Sequence, residues 1–138
     1  MKVFCISIII LLFSCSKEEE EVPVVINKLI EITGKWYHKE VVVDNVTYPY
    51  DDHETCGKEY IEFFDTNKIR SIDVFGCQED VLWTGTYTKT NNNLNINNSL
   101  YNLNVEIVEL SSTALSYKYK FDKDNNGVPE NYIEKYDR

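Results

Sequence analysis

The chain has 138 residues, enough for one domain of ordinary size, and 43% of them are hydrophobic, so a packed core rather than disorder is expected. Its formal net charge of −9 excludes the basic surface of a nucleic-acid-binding protein and opposes unaided adsorption to anionic lipid. Tyrosine and phenylalanine are plentiful while glycine, proline and methionine are scarce, a composition that favours β-structure over a helical bundle.

The N-terminal segment predicts a lipid-anchored protein. Lys2 precedes an apolar run from Val3 to Phe13 that is too short to span a bilayer of about 30 Å, so residues 1–14 are predicted to be a signal peptide. The sequence Leu12-Phe13-Ser14-Cys15 resembles the lipobox of bacterial lipoproteins. The resemblance implies cleavage before Cys15 and lipidation of that residue, with acyl chains that anchor the protein to a membrane. The alternative is an ordinary signal peptide followed by an incidental cysteine.

Residues 15–28 read as a tether between the lipid and the folded domain. The segment contains the acidic run from Glu18 to Glu21, followed by Pro23. A solvated, flexible spacer explains this composition. The run also resembles the surface-export signal of lipoproteins in one phylum of Gram-negative bacteria, which implies an outer-membrane protein exposed at the cell surface.

Two of the four cysteines are predicted to form a disulfide. Cys5 leaves with the signal peptide and Cys15 carries lipid, so Cys56 and Cys77 remain in an oxidising compartment, where they should pair. The alternative is a zinc site that uses Cys56 with His53 and His38. The spacing of these residues matches no known zinc motif.

The domain at residues 29–138 is predicted to be all-β. A short helical turn over residues 27–32 comes first, and a long polar loop is expected over residues 48–55. Eight sequential antiparallel strands would close as an up-and-down barrel whose interior is either filled or holds one small ligand. The predicted strands cover residues 35–44, 58–64, 69–75, 82–89, 94–97, 101–110, 114–121 and 131–136.

Four stretches of this domain resemble the lipocalin-like domain of small bacterial lipoproteins. They are residues 32–36 (ITGKW), 60–67 (YIEFFDTN), 83–87 (WTGTY) and 109–115 (ELSSTAL). The resemblance implies a lipocalin-like barrel in which Gly34 and Trp36 plug the floor. It also implies a small ligand, without indicating which one.

A loop near the end of the chain has the composition of a cation site. Residues 122–130 (DKDNNGVPE) resemble the calcium loops of thrombospondin type 3 modules and the first half of an EF-hand loop. The resemblance implies Ca²⁺ ligands at Asp122, Asp124, Asn126 and Glu130. The alternative is a hairpin loop, for which Asp, Asn and Gly are ordinary turn residues.

No catalytic motif is found. The chain has only two histidines, His38 and His53, and lacks Gly-x-Ser-x-Gly, Walker, dinucleotide-binding and metalloprotease patterns. Carboxylates within predicted strands, such as Glu40, Glu62 and Asp73, are expected on solvated faces. We therefore expect a non-enzymatic barrel that binds a small apolar or aromatic ligand. The alternative is a protein- or glycan-interaction module with a filled barrel, and the volume of the interior separates the two hypotheses.

Overall fold

A computed structural model describes residues 31–138 as an all-β domain. The predicted signal peptide, Cys15, the tether and most of the predicted helical turn lie outside the described residues. No helix long and apolar enough to cross a membrane occurs between residues 31 and 138. The strands are β1 (Gly34–Val43), β2 (Val46–Pro49), β3 (Tyr60–Phe64), β4 (Lys68–Phe75), β5 (Gln78–Thr90), β6 (Asn93–Asn98), β7 (Asn102–Leu110), β8 (Ala114–Phe121) and β9 (Glu130–Asp137).

Eight of these strands form a closed up-and-down barrel, as predicted. Strands β3 to β9 pair antiparallel with their neighbours in chain order. The barrel closes because β1 pairs with β3 along one edge and with β9 along the other, from Tyr37 opposite Asp137 to Val43 opposite Tyr132. Closure satisfies the backbone groups that an open sheet would expose at its edges.

The additional strand, β2, corrects the prediction of a loop from residue 48 onward. It folds back on β1 through a two-residue turn in which Asp44 and Asn45 have φ of 45° and 72°. Such positive values are typical of the tight hairpin turns that Asn and Asp tolerate. Strand β3 pairs only with β1 residues 34–37. The backbone groups farther along the same edge of β1 would therefore lack hydrogen-bond partners without β2. Strand β2 supplies them between Glu40 and Val43.

Side-chain exposure along single strands shows that the barrel is packed at one end and open at the other. On the inner face of β8, Leu115 and Tyr117 are buried, Tyr119 is half-buried and Phe121 is 52% exposed. Strand β7 shows the same gradient from buried Ile107 to exposed residues at its start. We call the packed end, where β1 begins, the closed end, and the other the open end.

The closed end is built around Trp36. Its ring is fully buried, and its indole Nε1 donates a hydrogen bond of 2.6 Å to the carbonyl oxygen of Ile32. The guanidinium of Arg138 lies 3.9 Å from the ring centroid and donates to the carbonyl oxygen of Thr33. Gly34 has φ of 122°, and a Cβ there would lie 3.0 Å from Arg138. The backbone conformation favours glycine here, and a Cβ would also press on the end of the Arg138 side chain.

The disulfide between Cys56 and Cys77 is present, with 5.6 Å between the two Cα atoms. It joins the β2–β3 connection to the turn between β4 and β5 at the open end. Beneath this connection lies a small buried cluster on the outer face of the barrel, formed by Tyr60, Ile72 and Val74. Closing a loop of this length stabilises the folded state by roughly 3 kcal/mol in the chain-entropy model.

We predict that Arg138→Ala lowers the free energy of unfolding by about 1–2 kcal/mol, because it removes a cation–π contact over a buried indole. Arg138→Lys should recover only part of this loss, since an ammonium cannot cover the ring as a planar guanidinium does. Both effects are measured by urea unfolding of residues 29–138, called the soluble domain below. Lys120→Ala removes an exposed cation of β8 and serves as the control; an equal loss in that variant would contradict the prediction.

Candidate functional site

The barrel encloses a cavity of about 460 Å³ that reaches the open end. Its inner wall begins above the packed residues of the closed end, and its rim includes Leu100 and Phe121, which are 72% and 52% exposed. The volume lies within the range of small-molecule sites. The lining residues are His38, Ile61, Ile69, Ser71, Trp83, Ile96, Leu100, Tyr101, Asn102, Leu103, Tyr117, Tyr119, Phe121, Glu134 and Tyr136.

Aromatic side chains form much of the cavity wall. Trp83 on β5 and Tyr101 at the start of β7 meet edge to face, with ring centroids 5.8 Å apart. Tyr119 and Phe121 of β8 also line the cavity, and both contact the ring of Tyr132, which is not a lining residue. Such walls offer a large apolar contact area with hydroxyl groups at fixed positions.

Three tyrosine hydroxyl groups converge on the carboxylate of Glu134. Tyr119 donates to Oε1 at 2.5 Å, and Tyr117 donates to Oε2 at 3.0 Å. Tyr136 also donates to Oε2, and its hydroxyl oxygen lies 2.7 Å from that of Tyr117. The cluster is assembled by the β8–β9 ladder, which places Tyr117 directly opposite Glu134.

The electrostatics of this cluster keep the tyrosines protonated. Burial raises the pKa of all three hydroxyl groups above the ordinary tyrosine value, and the neighbouring charge of Glu134 raises it further. A protonated phenol can donate to the carboxylate, whereas a phenolate could not. The cluster therefore consists of one acceptor-only group held by three donors.

His38 lies beside this cluster on β1. Its ring stacks against Tyr50 at 4.9 Å and contacts Tyr136 at 4.8 Å. Burial lowers the pKa of His38, the charge of Glu134 opposes this shift, and neighbouring His53 adds to it. His53 is held by backbone on both ring nitrogens: Nε2 lies 2.7 Å from the His38 carbonyl oxygen, and Nδ1 accepts from the Glu59 amide.

A second, larger concavity of about 670 Å³ lies where β7 and β8 diverge. The ladder between these strands ends where Glu106 pairs with Lys118, although both strands continue toward the open end. Its lining is mainly the threonine, asparagine and lysine side chains of the outer face, and it shares Tyr119 with the barrel cavity. We take the barrel cavity as the candidate ligand site because its lining is mainly apolar and aromatic side chains inside the barrel.

The structure separates the residues singled out in the sequence. Gly34 and Trp36 lie at the closed end, beneath the cavity, and contribute no lining atoms. Cys56 and Cys77 lie outside the barrel wall. Glu40 and Glu62 face outward, each in an ion pair, with Lys135 and Arg70 respectively.

The loop predicted to bind calcium is at the open end, between β8 and β9. Its side-chain oxygens accept hydrogen bonds from the loop's own amides: Asp122 from Asn126 and Gly127, and Asp124 from Asn126. Glu130 accepts from the Lys123 amide. Within residues 31–138, no three His, Cys, Asp or Glu side chains are arranged to hold a metal. Calcium binding stays a prediction. A melting temperature that is the same in excess CaCl₂ and in EDTA would contradict it.

The functional groups of the cavity were missed in the sequence. Tyr132, Glu134 and Tyr136 alternate within the predicted last strand, so they share one face. A carboxylate flanked by two aromatic residues on one face of a strand was a usable signal. It became informative only when β8 placed further tyrosines opposite this face.

We predict that His38 makes the stability of the domain depend on pH below neutrality. Because the folded-state pKa is lower than the ordinary value of about 6.5, the unfolded chain binds more protons in the interval between the two values. The stability that neutral His38 contributes is fully present above about pH 6.5 and is lost as the pH falls toward the folded pKa.

His38→Phe retains the stacking and removes this proton linkage. The free energy of unfolding, measured with urea at pH 7.5 and pH 5.0, should therefore fall less in the variant than in the parent. Carboxylates elsewhere contribute equally to both proteins. An identical pH dependence in the two would contradict the prediction.

Comparison with known proteins identifies the family to which this chain belongs. The sequence profile of the lipocalin-like domain family matches residues 32–117, more than half of the chain. No curated protein sequence is significantly similar. Two similar solved structures are a lipocalin-like protein from Bacteroides uniformis (TM-score 0.55, 77% of this chain and 96% of that one) and an uncharacterized protein from Bacteroides eggerthii (TM-score 0.54, 77% and 99%), each 11% identical. The chain therefore belongs to the lipocalin-like domain family.

Proposed function

We propose that this protein is a lipid-anchored, cell-surface lipoprotein whose barrel binds a small apolar or aromatic molecule without catalysing a reaction on it. The observation that supports this proposal is the cavity of about 460 Å³ inside the barrel. A barrel serving only as a scaffold would gain stability by filling that space with side chains. The cavity has the aromatic wall and the few convergent polar groups that small-molecule sites share.

The position of the cavity suits capture from the surrounding medium. The open end carries the exposed apolar residues Leu100 and Phe121, which a ligand would meet before the half-buried Trp83 and Tyr119. Apolar contact would therefore increase as the ligand moves inward, and the hydroxyl groups around Glu134 lie among the cavity's polar groups.

The lipid anchor remains a proposal from the sequence. Residues 15–29 have an extended length of at most about 50 Å, so the open end could stand clear of the membrane. The acidic residues of the tether would keep it hydrated. On this proposal the ligand is captured outside the outer membrane and held near the cell surface.

A second candidate is a protein- or glycan-interaction module. Exposed apolar side chains at the turns of the open end favour it, because contiguous exposed apolar residues often mark contact surfaces. These residues are Phe75, Leu100 and Val128, with exposures of 74%, 72% and 69%. Such a partner would bind a protein whose cavity had been filled by mutation as well as it binds the parent.

We predict that the soluble domain binds the neutral fluorescent probe N-phenyl-1-naphthylamine in the cavity. Ser71 is a small, buried lining residue of β4, so Ser71→Phe should fill part of the cavity and weaken probe binding at least about tenfold, or roughly 1.4 kcal/mol. Fluorescence titration of the probe measures both affinities. Melting temperatures check that each variant is folded.

Thr86→Phe adds the same ring on the exposed outer face of β5 and should leave binding unchanged. Equal affinity of all three proteins would place the probe outside the cavity and count against the proposal. Native mass spectrometry of protein purified from its own membranes would then identify any bound molecule. A clean apo mass would favour the interaction module.

We predict that Cys15→Ser abolishes incorporation of labelled palmitate and releases the protein from the membrane fraction. Two or three acyl chains are needed for stable anchoring, and the thiol carries the first of the attachments. Protease treatment of intact cells should degrade the parent protein. Membrane retention of the Cys15→Ser variant would contradict the anchor, whereas protection of the parent would contradict only its surface exposure.

A further inference from the structure

The barrel cavity contains a carboxylate but no fixed cation. Glu134 is among the lining residues, and no lysine or arginine is found among those that residues 31–138 contribute. His38 has a pKa lowered by burial, so it is neutral near pH 7. The ion pairs of the outer face, such as Lys135 with Glu40, leave Glu134 out. A partly buried carboxylate without a countercharge is unfavourable unless hydrogen bonds or a ligand compensate it.

The hydrogen bonds of Glu134 fix its position but do not neutralise it. A carboxylate has about four acceptor sites, and the three tyrosine hydroxyl groups occupy two on Oε2 and one on Oε1. One acceptor site on Oε1 remains for a further donor. Because phenols are neutral donors, they supply no positive charge to balance the carboxylate inside the aromatic cavity.

The surrounding wall is also suited to a cation. Electron-rich faces of tryptophan and tyrosine attract ammonium groups, with a contribution that grows when the pair is removed from water. Trp83, Tyr101 and Tyr119 all line the same cavity as Glu134. The net charge of −9 would in addition raise the local concentration of cations near the protein.

We propose that the cavity selects a small aromatic amine, whose ammonium group pairs with the Glu134 carboxylate while its ring lies against the aromatic wall. This inference rests on the proposed function, since it names the ligand class of the same cavity. A neutral alcohol could occupy the remaining acceptor site but would leave the charge uncompensated. A carboxylate ligand would meet direct repulsion from Glu134.

Three indole compounds that differ in one terminal group test the proposal. Tryptamine ends in an ammonium, tryptophol in a hydroxyl and indole-3-acetate in a carboxylate at pH 7. Their affinities are measured by displacement of N-phenyl-1-naphthylamine from the soluble domain and by isothermal titration calorimetry. We expect tryptamine to bind at least about tenfold more tightly than tryptophol, and indole-3-acetate to bind most weakly.

Glu134→Gln should abolish the preference for tryptamine while changing the affinity for tryptophol less than about threefold. The amide oxygen can still accept from the tyrosines, and the amide nitrogen can donate to a hydroxyl oxygen, so the variant is expected to fold. Glu106→Gln is the matched control: it removes the same charge from the outer face of β7, where Glu106 pairs with Lys118. This control should retain the full preference.

Tyr119→Phe removes one donor from Oε1 and keeps the carboxylate, so the preference for tryptamine should persist or increase. If it were lost instead, the hydroxyl groups rather than the charge would be selecting the ligand, and the proposal would be overturned. Loss of the preference in Glu106→Gln would attribute it to net charge and would also overturn the proposal.

The failure of this inference can be told apart from that of the proposed function. If the probe binds in the cavity but the three indoles bind equally, the barrel is a ligand-binding site and the Glu134 cluster only joins β8 to β9. If neither the probe nor any indole binds, both proposals fail. This comparison needs no variant of Glu134, so it holds even if Glu134→Gln does not fold.

Discussion

Pairing of β1 with β9 is the constraint on which the rest of the molecule depends. It joins residues about a hundred positions apart in sequence and converts an open sheet into a barrel. The same ladder brings His38 opposite Tyr136 and carries Arg138 over the buried ring of Trp36. Without it, the closed end would lack Arg138 over Trp36, and the barrel cavity would lack the wall in which His38 lies opposite Tyr136. Both depend on residues of β9, so the stability of the barrel and the composition of its cavity are linked.

The two ends of the barrel use aromatic residues differently. At the closed end Trp36, Phe63 and Tyr87 belong to one buried core cluster, in which the rings of Phe63 and Tyr87 meet edge to face at 4.9 Å. Nearer the open end, the small side chain of Ser71 lies opposite Trp83, and strands β7 and β8 diverge. Space remains because the aromatic residues there line the wall instead of meeting at the barrel axis. The core at the closed end thus stabilises the domain, so the residues around the cavity do not have to fill it.

Charged groups are also arranged differently on the outer face and in the interior of the barrel. On the outer face, carboxylates pair with lysine or arginine, as Glu62 does with Arg70 at 2.6 Å. Such exposed pairs contribute little to stability and mainly keep the surface soluble. Inside, Glu134 is held only by neutral donors. A ligand of opposite charge would supply the positive charge that the described lining residues do not.

Much of the fold could be predicted from local sequence. Alternation in stretches such as residues 83–87 and 114–121 indicated strands and sorted their side chains onto two faces, because side-chain direction in a strand alternates with position. The pairing of Cys56 with Cys77 followed from counting, and Gly34 with Trp36 indicated the family. Strand β2 was missed because it depends on a contact between strands. Strand β3 pairs only with residues 34–37 of β1, and β2 pairs with residues 40–43 on the same edge.

The sequence by itself therefore determined the class of fold, the order of the strands and the disulfide. Only the tertiary structure decided that the barrel is hollow at one end, since cavity volume depends on how side chains from eight strands fill a shared space. It alone brought three tyrosines from two strands onto Glu134 and placed Arg138 over Trp36. Those contacts depend on strand register around the closed barrel, which no local pattern records.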